Sequence, residues 1–153
     1  MDDILVKYAY PAVANYIELP KRETIGSAGF DLRYANPTQV VIEPGKRAVL
    51  ETGLVWKIPF GYMGLVCSRS GLAAKQGLFV LNAPGIVDSD YRGEVKVILA
   101  NMGDQPAIIK VGDRIAQMIV SPYYSARQMA VIVVDKLDET TRGDGGFGST
   151  GIS

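Results

Sequence analysis

Apolar runs in this chain are short, and each is cut within a few residues by glycine, proline, asparagine or a charged pair. Ile4-Leu5-Val6-Lys7-Tyr8 comes first, then Ala28-Gly29-Phe30-Asp31-Leu32-Arg33 and Val40-Val41-Ile42, which Glu43-Pro44-Gly45 ends. Arg47 to Thr52, Leu54 to Ile58, Tyr62 to Cys67, Leu78 to Leu81, Val95 to Leu99, Ala107 to Ile109 and Ile115 to Val120 continue the series. Such segments cannot bury themselves singly; they must pair sideways and stack face to face. The spacing therefore predicts an all-β sandwich or barrel, with a jelly roll as the preferred form. Only Gly71-Leu72-Ala73-Ala74-Lys75-Gln76-Gly77 has helical composition, enough for one short helix. No internal repeat is present.

The 153 residues suit one domain, which at this size buries about 68–70% of its unfolded surface. The formal net charge is zero and no basic block exists, so nucleic acid has no electrostatic footprint to meet and a membrane surface no attraction. Val131-Ile132-Val133-Val134 and the other apolar runs are too short to span a bilayer. Met1-Asp2-Asp3 opens acidic, unlike a secretory leader. The lone Cys67 forbids an internal disulfide and fits a reducing cytoplasm. There is no histidine, which removes Ser-His-Asp and Cys-His nucleophiles, His-ligated zinc and a histidine base. Any hydrolysis must run on carboxylate, hydroxyl, arginine and backbone amides, with or without a hard metal.

The stretch Asn82-Ala83-Pro84-Gly85-Ile86-Val87-Asp88-Ser89-Asp90-Tyr91-Arg92-Gly93-Glu94-Val95-Lys96 has apolar arms around a polar tip, which reads as a β-hairpin. A turn centred on Ser89 sets Asn82 opposite Lys96 across two strands. Free backbone groups at the splayed end suit a flat ligand rich in donors and acceptors, with Asp88 as base and Tyr91 laid against a sugar. An acidic surface turn with a packed tyrosine is the plainer account of this stretch taken alone.

Other segments keep it company. Ser68-Arg69-Ser70-Gly71 ends a run just before the short helix, where free N–H groups and a positive dipole favour phosphate; plain N-capping by Ser70 is the simpler alternative. In Gly112-Asp113-Arg114-Ile115-Ala116-Gln117, a turn with a salt bridge competes with Gln117 as a phosphate donor. Asp31 is either a structural acceptor or a carboxylate that orients waters around Mg²⁺. After Asp138 the composition shifts to Gly143-Asp144-Gly145-Gly146-Phe147-Gly148-Ser149-Thr150-Gly151, which predicts a flexible tail over 139–153 beyond a body of 1–138. Within it Phe147 suits stacking on a base, Arg142 gripping a terminal phosphate, and the Gly148 and Ser149 amides wrapping phosphate oxygens.

In this order and spacing the segments Ala28 to Leu32, Arg69 to Leu72, Gly85 to Gly93, Gly112 to Gln117 and Arg142 to Gly151 resemble those of the homotrimeric dUTP diphosphatase (dUTPase) family. The resemblance implies a jelly-roll protomer and active sites shared between subunits. One subunit would give Asp31, Arg69, Ser70, Gly71 and Gln117, and a second Asn82, Ile86, Val87, Asp88, Tyr91 and Lys96. The tail of a third, with Arg142, Phe147, Gly148 and Ser149, would close as a lid. It implies cytoplasmic hydrolysis of dUTP to dUMP and pyrophosphate with Mg²⁺ held through water by Asp31, and Asp88 activating the water that attacks the α-phosphorus. Such an activity limits uracil in DNA and supplies dUMP for thymidylate synthesis. No nucleic-acid or membrane partner is implied. The family commonly has proline where this chain has Ser68. A dCTP deaminase resembles the family in fold and in the Ser-Arg-Ser segment, but its deaminating site uses a glutamate, whereas Asp88 and the glycine tail match the diphosphatase; a β-sandwich binding module with a vestigial site would bind without releasing pyrophosphate.

Overall fold

A computed structural model describes residues 3–146. A first compact unit runs to Tyr123 and a second begins at Tyr124. In the first, strands β1 (Leu5–Tyr8), β2 (Gly29–Arg33), β3 (Val40–Ile42), β4 (Arg47–Lys57), β5 (Tyr62–Cys67), β6 (Leu78–Val80), β7 (Gly85–Val87), β8 (Glu94–Asn101), β9 (Ala107–Ile109) and β10 (Arg114–Pro122) are accompanied by one α-helix, α1 (Ser70–Gln76), which buries no residue, and a short 3-10 helix at Pro11–Asn15. One sheet has the order β1-β4-β8-β6 and the other β2-β10-β5-β7, while β3 and β9 form a ribbon. All pairs are antiparallel. The architecture is the all-β, jelly-roll one that the short runs predict.

Alternation explains the core. Along β8, Val95, Val97 and Leu99 are buried while Lys96 points outward, the period of two that faces one side of a strand to the interior. From the other sheet Leu32, Val66, Ala116 and Met118 are likewise buried, and Trp56 joins the same cluster. Trp56 meets the Phe30 ring edge-on at 5.8 Å, and the Arg22 guanidinium lies 5.0 Å over that ring. A buried polar side chain, Asn101, satisfies itself fully: its amide donates to the carbonyls of Ile42 and Gln105 at 2.8 and 2.9 Å and its oxygen accepts the Gly103 N–H. A buried amide needs all these partners to avoid a desolvation cost of about 1–3 kcal/mol.

Two local expectations need correcting. The pattern splits Arg47–Thr52 from Leu54–Ile58 at Gly53, yet β4 runs unbroken to Lys57. Gly53 sits at φ +65°, inside a register shift between Glu51 and Val55, so the glycine is absorbed as a bulge. Its N–H is held by Glu94 Oε1 at 2.7 Å. Second, the arms of the 82–96 stretch do not pair with each other. β7 pairs with β5 in one sheet, and β8 with β4 and β6 in the other. Asn82 and Lys96 are therefore not cross-strand partners; the Asp88–Tyr91 turn carries the chain between sheets. Val87 and Val95 are both buried in the core, which drives the arms into separate layers.

In the second unit neither helix nor strand forms among the described residues. A turn at Ser125 is closed by Gln128, whose side-chain oxygen accepts from the Ser125 N–H and hydroxyl. Among the described residues no helix is long and apolar enough to cross a membrane.

Candidate active site

The register of β10 assembles a polar cluster. Gln117 stands opposite Asp31 on β2 and opposite Cys67 on β5, so these levels are abreast just where β5 gives way to Ser68 and Arg69. Arg69 Nε meets Asp31 Oδ1 at 3.1 Å and Arg114 Nη1 meets Oδ2 at 3.2 Å. A second Arg69 nitrogen donates to the Arg114 carbonyl at 3.1 Å. The Gln117 amide donates to the Ser68 carbonyl at 2.9 Å, above Gly29, where a Cβ would come within 2.6 Å of Gln117 Oε1. Partly exposed ion pairs contribute only about 0–1 kcal/mol each; here their effect is to orient two guanidiniums whose remaining N–H groups can meet an anion. The cluster borders a cavity of ≈ 360 Å³.

Ser70 and Gly71 begin α1, and the N-cap is Arg69, which makes no side-chain cap hydrogen bond. Ser70 is therefore not the capping residue of the simpler alternative. Ser68, in the place of a proline, accepts the Val80 N–H on its hydroxyl at 2.9 Å, tying the loop to β6. Arg114 belongs to the Gly112–Gln117 segment, and it joins the cluster through Asp31 on the neighbouring strand, a pairing that spacing alone does not reveal.

The second cluster forms where β7 and β8 part. The Tyr91 N–H closes on the Asp88 carbonyl at 3.2 Å, and Arg92 caps the Ser89 and Tyr91 carbonyls at 2.7 Å. Ile86, Val87, Asp88, Tyr91, Glu94 and Lys96 line a cavity of ≈ 550 Å³. The Tyr91 hydroxyl donates to the Glu94 carbonyl at 3.1 Å. Lys96 lies 3.4 Å from Glu51 and 3.6 Å from Glu94, and the two carboxylates, Glu94 foremost, push its pKa up. The pairing carboxylates Glu51 and Glu94 are additions to the sequence reading. Asn82 is exposed and does not line this cavity. No residue is common to the linings of the two cavities.

In the second unit, Arg142 Nε donates to the Gly145 carbonyl at 2.9 Å, and Thr140 Oγ1 accepts the Gly143 N–H. Phe147, Gly148 and Ser149 lie outside the described residues.

Among the described residues no group of His, Cys, Asp or Glu side chains gathers as a ready-made metal cage. Asp31 faces an arginine on each oxygen, but a carboxylate has about four acceptor positions. It retains capacity for waters of a hydrated Mg²⁺, a cation that keeps much of its shell. The donor set fits contact through water.

These features define a β-sandwich with an arginine-flanked carboxylate cluster and a separate slot beside a carboxylate, Asp88, that has no side-chain hydrogen bond among the described residues. The dUTPase family pattern matches residues 15–151, and the chain belongs to the dUTPase family, enzymes that hydrolyse dUTP. A deoxyuridine 5′-triphosphate nucleotidohydrolase of Rhizobium etli (strain CIAT 652) is 51% identical over 138 residues, covering 89% of this chain and 86% of the relative. That of Ehrlichia canis (strain Jake) is 49% identical over 150 residues, covering 98% and 97%. Among solved structures, the Staphylococcus bacteriophage 80alpha dUTPase with dUPNHPP superposes with a TM-score of 0.83 at 26% identity, covering 99% of this chain and 100% of that one.

Proposed function

We propose that this enzyme hydrolyses dUTP to dUMP and pyrophosphate in sites shared between the subunits of a homotrimer, which limits uracil in DNA and supplies dUMP for thymidylate synthesis. The observation that carries the reading is the separation of the two clusters within one protomer. The arginine cluster has the charge for a triphosphate and no base slot; the Asp88 cavity has a slot and a carboxylate but no pair of arginines. Each is half of a site, and a second copy supplies the missing half. The exposed apolar residues Val131, Ile132 and Val133 support burial against another copy. The lone Cys67 supports residence in the cytoplasm.

Arg69, Ser70, Gly71 and Gln117 hold phosphate oxygens, while Ile86, Val87 and Lys96 flank the uracil, with Asn82 outside the lining of that cavity. Backbone groups in such a slot are left unpaired by cytosine, and sites of this kind discriminate by roughly 10⁴–10⁵. Tyr91 lies against the deoxyribose, leaving no room for a 2′-hydroxyl. Asp88 has no side-chain hydrogen bond among the described residues, so its lone pairs are open to a water. It orients that water in line with the α-phosphorus and takes its proton, a contribution of about 10²–10⁴ in rate. Mg²⁺, held through water by Asp31, supplies charge neutralisation of the triphosphate when bound. The body, 1–138, carries these groups, and the segment 139–153 acts as the lid on a neighbouring subunit's site: Arg142 grips the terminal phosphate, Phe147 stacks on the base, and Gly148 and Ser149 wrap the phosphates.

Complementation tests the reading. Asp88→Asn and Arg69→Ala subunits, each nearly inactive alone, are unfolded, mixed in equal amounts and refolded. Sites drawing on two subunits recover about a quarter of wild-type pyrophosphate release, because half the subunits supply each intact part. No recovery in mixed oligomers would place both clusters' work within one chain and sink the shared-site reading.

A further inference from the structure

The Tyr91 ring rests on Gly93, and this contact bears on sugar selection. A Cβ built at Gly93 would stand 2.6 Å from Tyr91 Cζ and 3.0 Å from Cε2, and closer still to the phenolic oxygen. Real carbon contacts of that kind are not made, so a side chain here must push something aside. Gly93 does not occupy the left-handed region, unlike Gly53 or Gly77, so what the position requires is space and not an unusual backbone. Its neighbour Glu94 is fixed: one carboxylate oxygen takes the Gly53 N–H at 2.7 Å and the other faces Lys96 at 3.6 Å. The carbonyl of the same residue receives the Tyr91 hydroxyl at 3.1 Å. Backbone on one side is thus anchored, whereas Tyr91 is half-exposed and bordered by the cavity. The ring is the part that yields.

We propose that Gly93 is a specificity-determining position: by lacking a side chain it lets the Tyr91 ring lie low against the strand, tethered to the Glu94 carbonyl, and so sets the height of the surface that meets the sugar. The inference rests on Tyr91 being the sugar-facing group of the proposed function. Gly93 itself touches no substrate; it acts through the ring. A raised ring no longer matches a deoxyribose, and once its tether is broken it can swing clear of a 2′-hydroxyl. Discrimination between dUTP and UTP should therefore fall, with the loss seen mainly in KM for dUTP.

The test measures kcat/KM for dUTP and UTP in wild type, Gly93→Ala, Tyr91→Ala and the double variant. Gly93→Ala is expected to lower the dUTP:UTP ratio by roughly tenfold or more. In the Tyr91→Ala background the same substitution should change the ratio by less than about twofold, since the partner of the clash is gone. An unchanged ratio in Gly93→Ala, or an equal drop in both backgrounds, overturns the inference. If Tyr91→Ala itself leaves the ratio intact, the assignment of Tyr91 to the sugar fails instead, and with it the premise. Should Gly93→Ala fail to fold alone, the double variant is expected to fold and to show the Tyr91→Ala ratio; a double variant that also fails to fold refutes a clash confined to that ring.

Discussion

The two clusters of this protomer are held in opposite ways. Around Asp31, charged side chains hold one another: two guanidiniums share one carboxylate, and Gln117 is fixed by a loop carbonyl. Around Asp88, the turn is held through its backbone, by the Tyr91 N–H, by Arg92 on two carbonyls and by a tyrosine seated on a glycine, while at the cavity wall Lys96 pairs with Glu51 and Glu94. On the proposed function, the contrast follows from what each would present. A phosphate site needs cations aimed and ready, so their spare donors are oriented by a carboxylate. A base must keep its lone pairs open, and a side-chain ion pair on Asp88 would occupy them. On the proposed function, preorganised charge in one place and, in the other, an acceptor with no side-chain hydrogen bond among the described residues would be two solutions to one requirement, that nothing reorganise at the moment of reaction.

The contrast is broken most directly at Asp88. Asp88→Asn should bind a non-hydrolysable dUTP analogue with near-native affinity while pyrophosphate release falls by about 10²–10⁴; near-native turnover would mean that the base lies elsewhere. Removing Arg142 to Ser153 should leave the thermal transition in place but lower turnover by about 10²-fold or more, and full activity in that truncation would end the lid. On the charged side, Arg69→Lys should raise KM by about tenfold with a smaller change in kcat, because an ammonium cannot span Asp31, the Arg114 carbonyl and a phosphate together. An unchanged KM would show that the guanidinium fork is not used. Ser68→Ala strands the Val80 N–H and should cost about 1 kcal/mol in denaturant unfolding with little effect on kcat; no loss would mean that this tie carries no stability.

The smallest effect sharpens the backbone-held side. The pKa of Lys96 is raised above its ordinary 10.5 by Glu94 and Glu51, so the ammonium form is favoured in the fold. Stability from it is present in full below about pH 10.5 and is lost as pH rises through the raised value. Tyr10 and Tyr34, raised chiefly by burial, lose stability in the same direction above pH 10, so the comparison must be differential. Wild type should lose stability slightly faster than Lys96→Met above pH 10.5, and parallel curves would count against the pairing.

Much of this was legible from residue order. Short runs predict an all-β sandwich or barrel, and the alternation in Val95, Val97 and Leu99 says which side of β8 faces inward. Pairing was not legible where it depends on sequence-distant partners. Pro84, Gly85 and Gly93 read as hairpin punctuation, yet Val87 and Val95 are recruited into the core and split the arms between sheets. Gly53 read as a stop because a bulge and a break look alike without the partner strand. Arg114 was present in its segment, but only the alignment of β2 with β10 brings it to Asp31.

One consequence follows from β10 lying between β2 and β5. Gln117 is outward on that strand while Ala116 and Met118, its immediate neighbours, are fully buried. A slip of a single residue would thrust an amide into hydrocarbon and a methionine into the anion groove. On the proposed function, the same slip that would take Gln117 from the phosphate oxygens also forfeits the core, so a protomer with this error would be lost to unfolding before it could act as a sluggish enzyme.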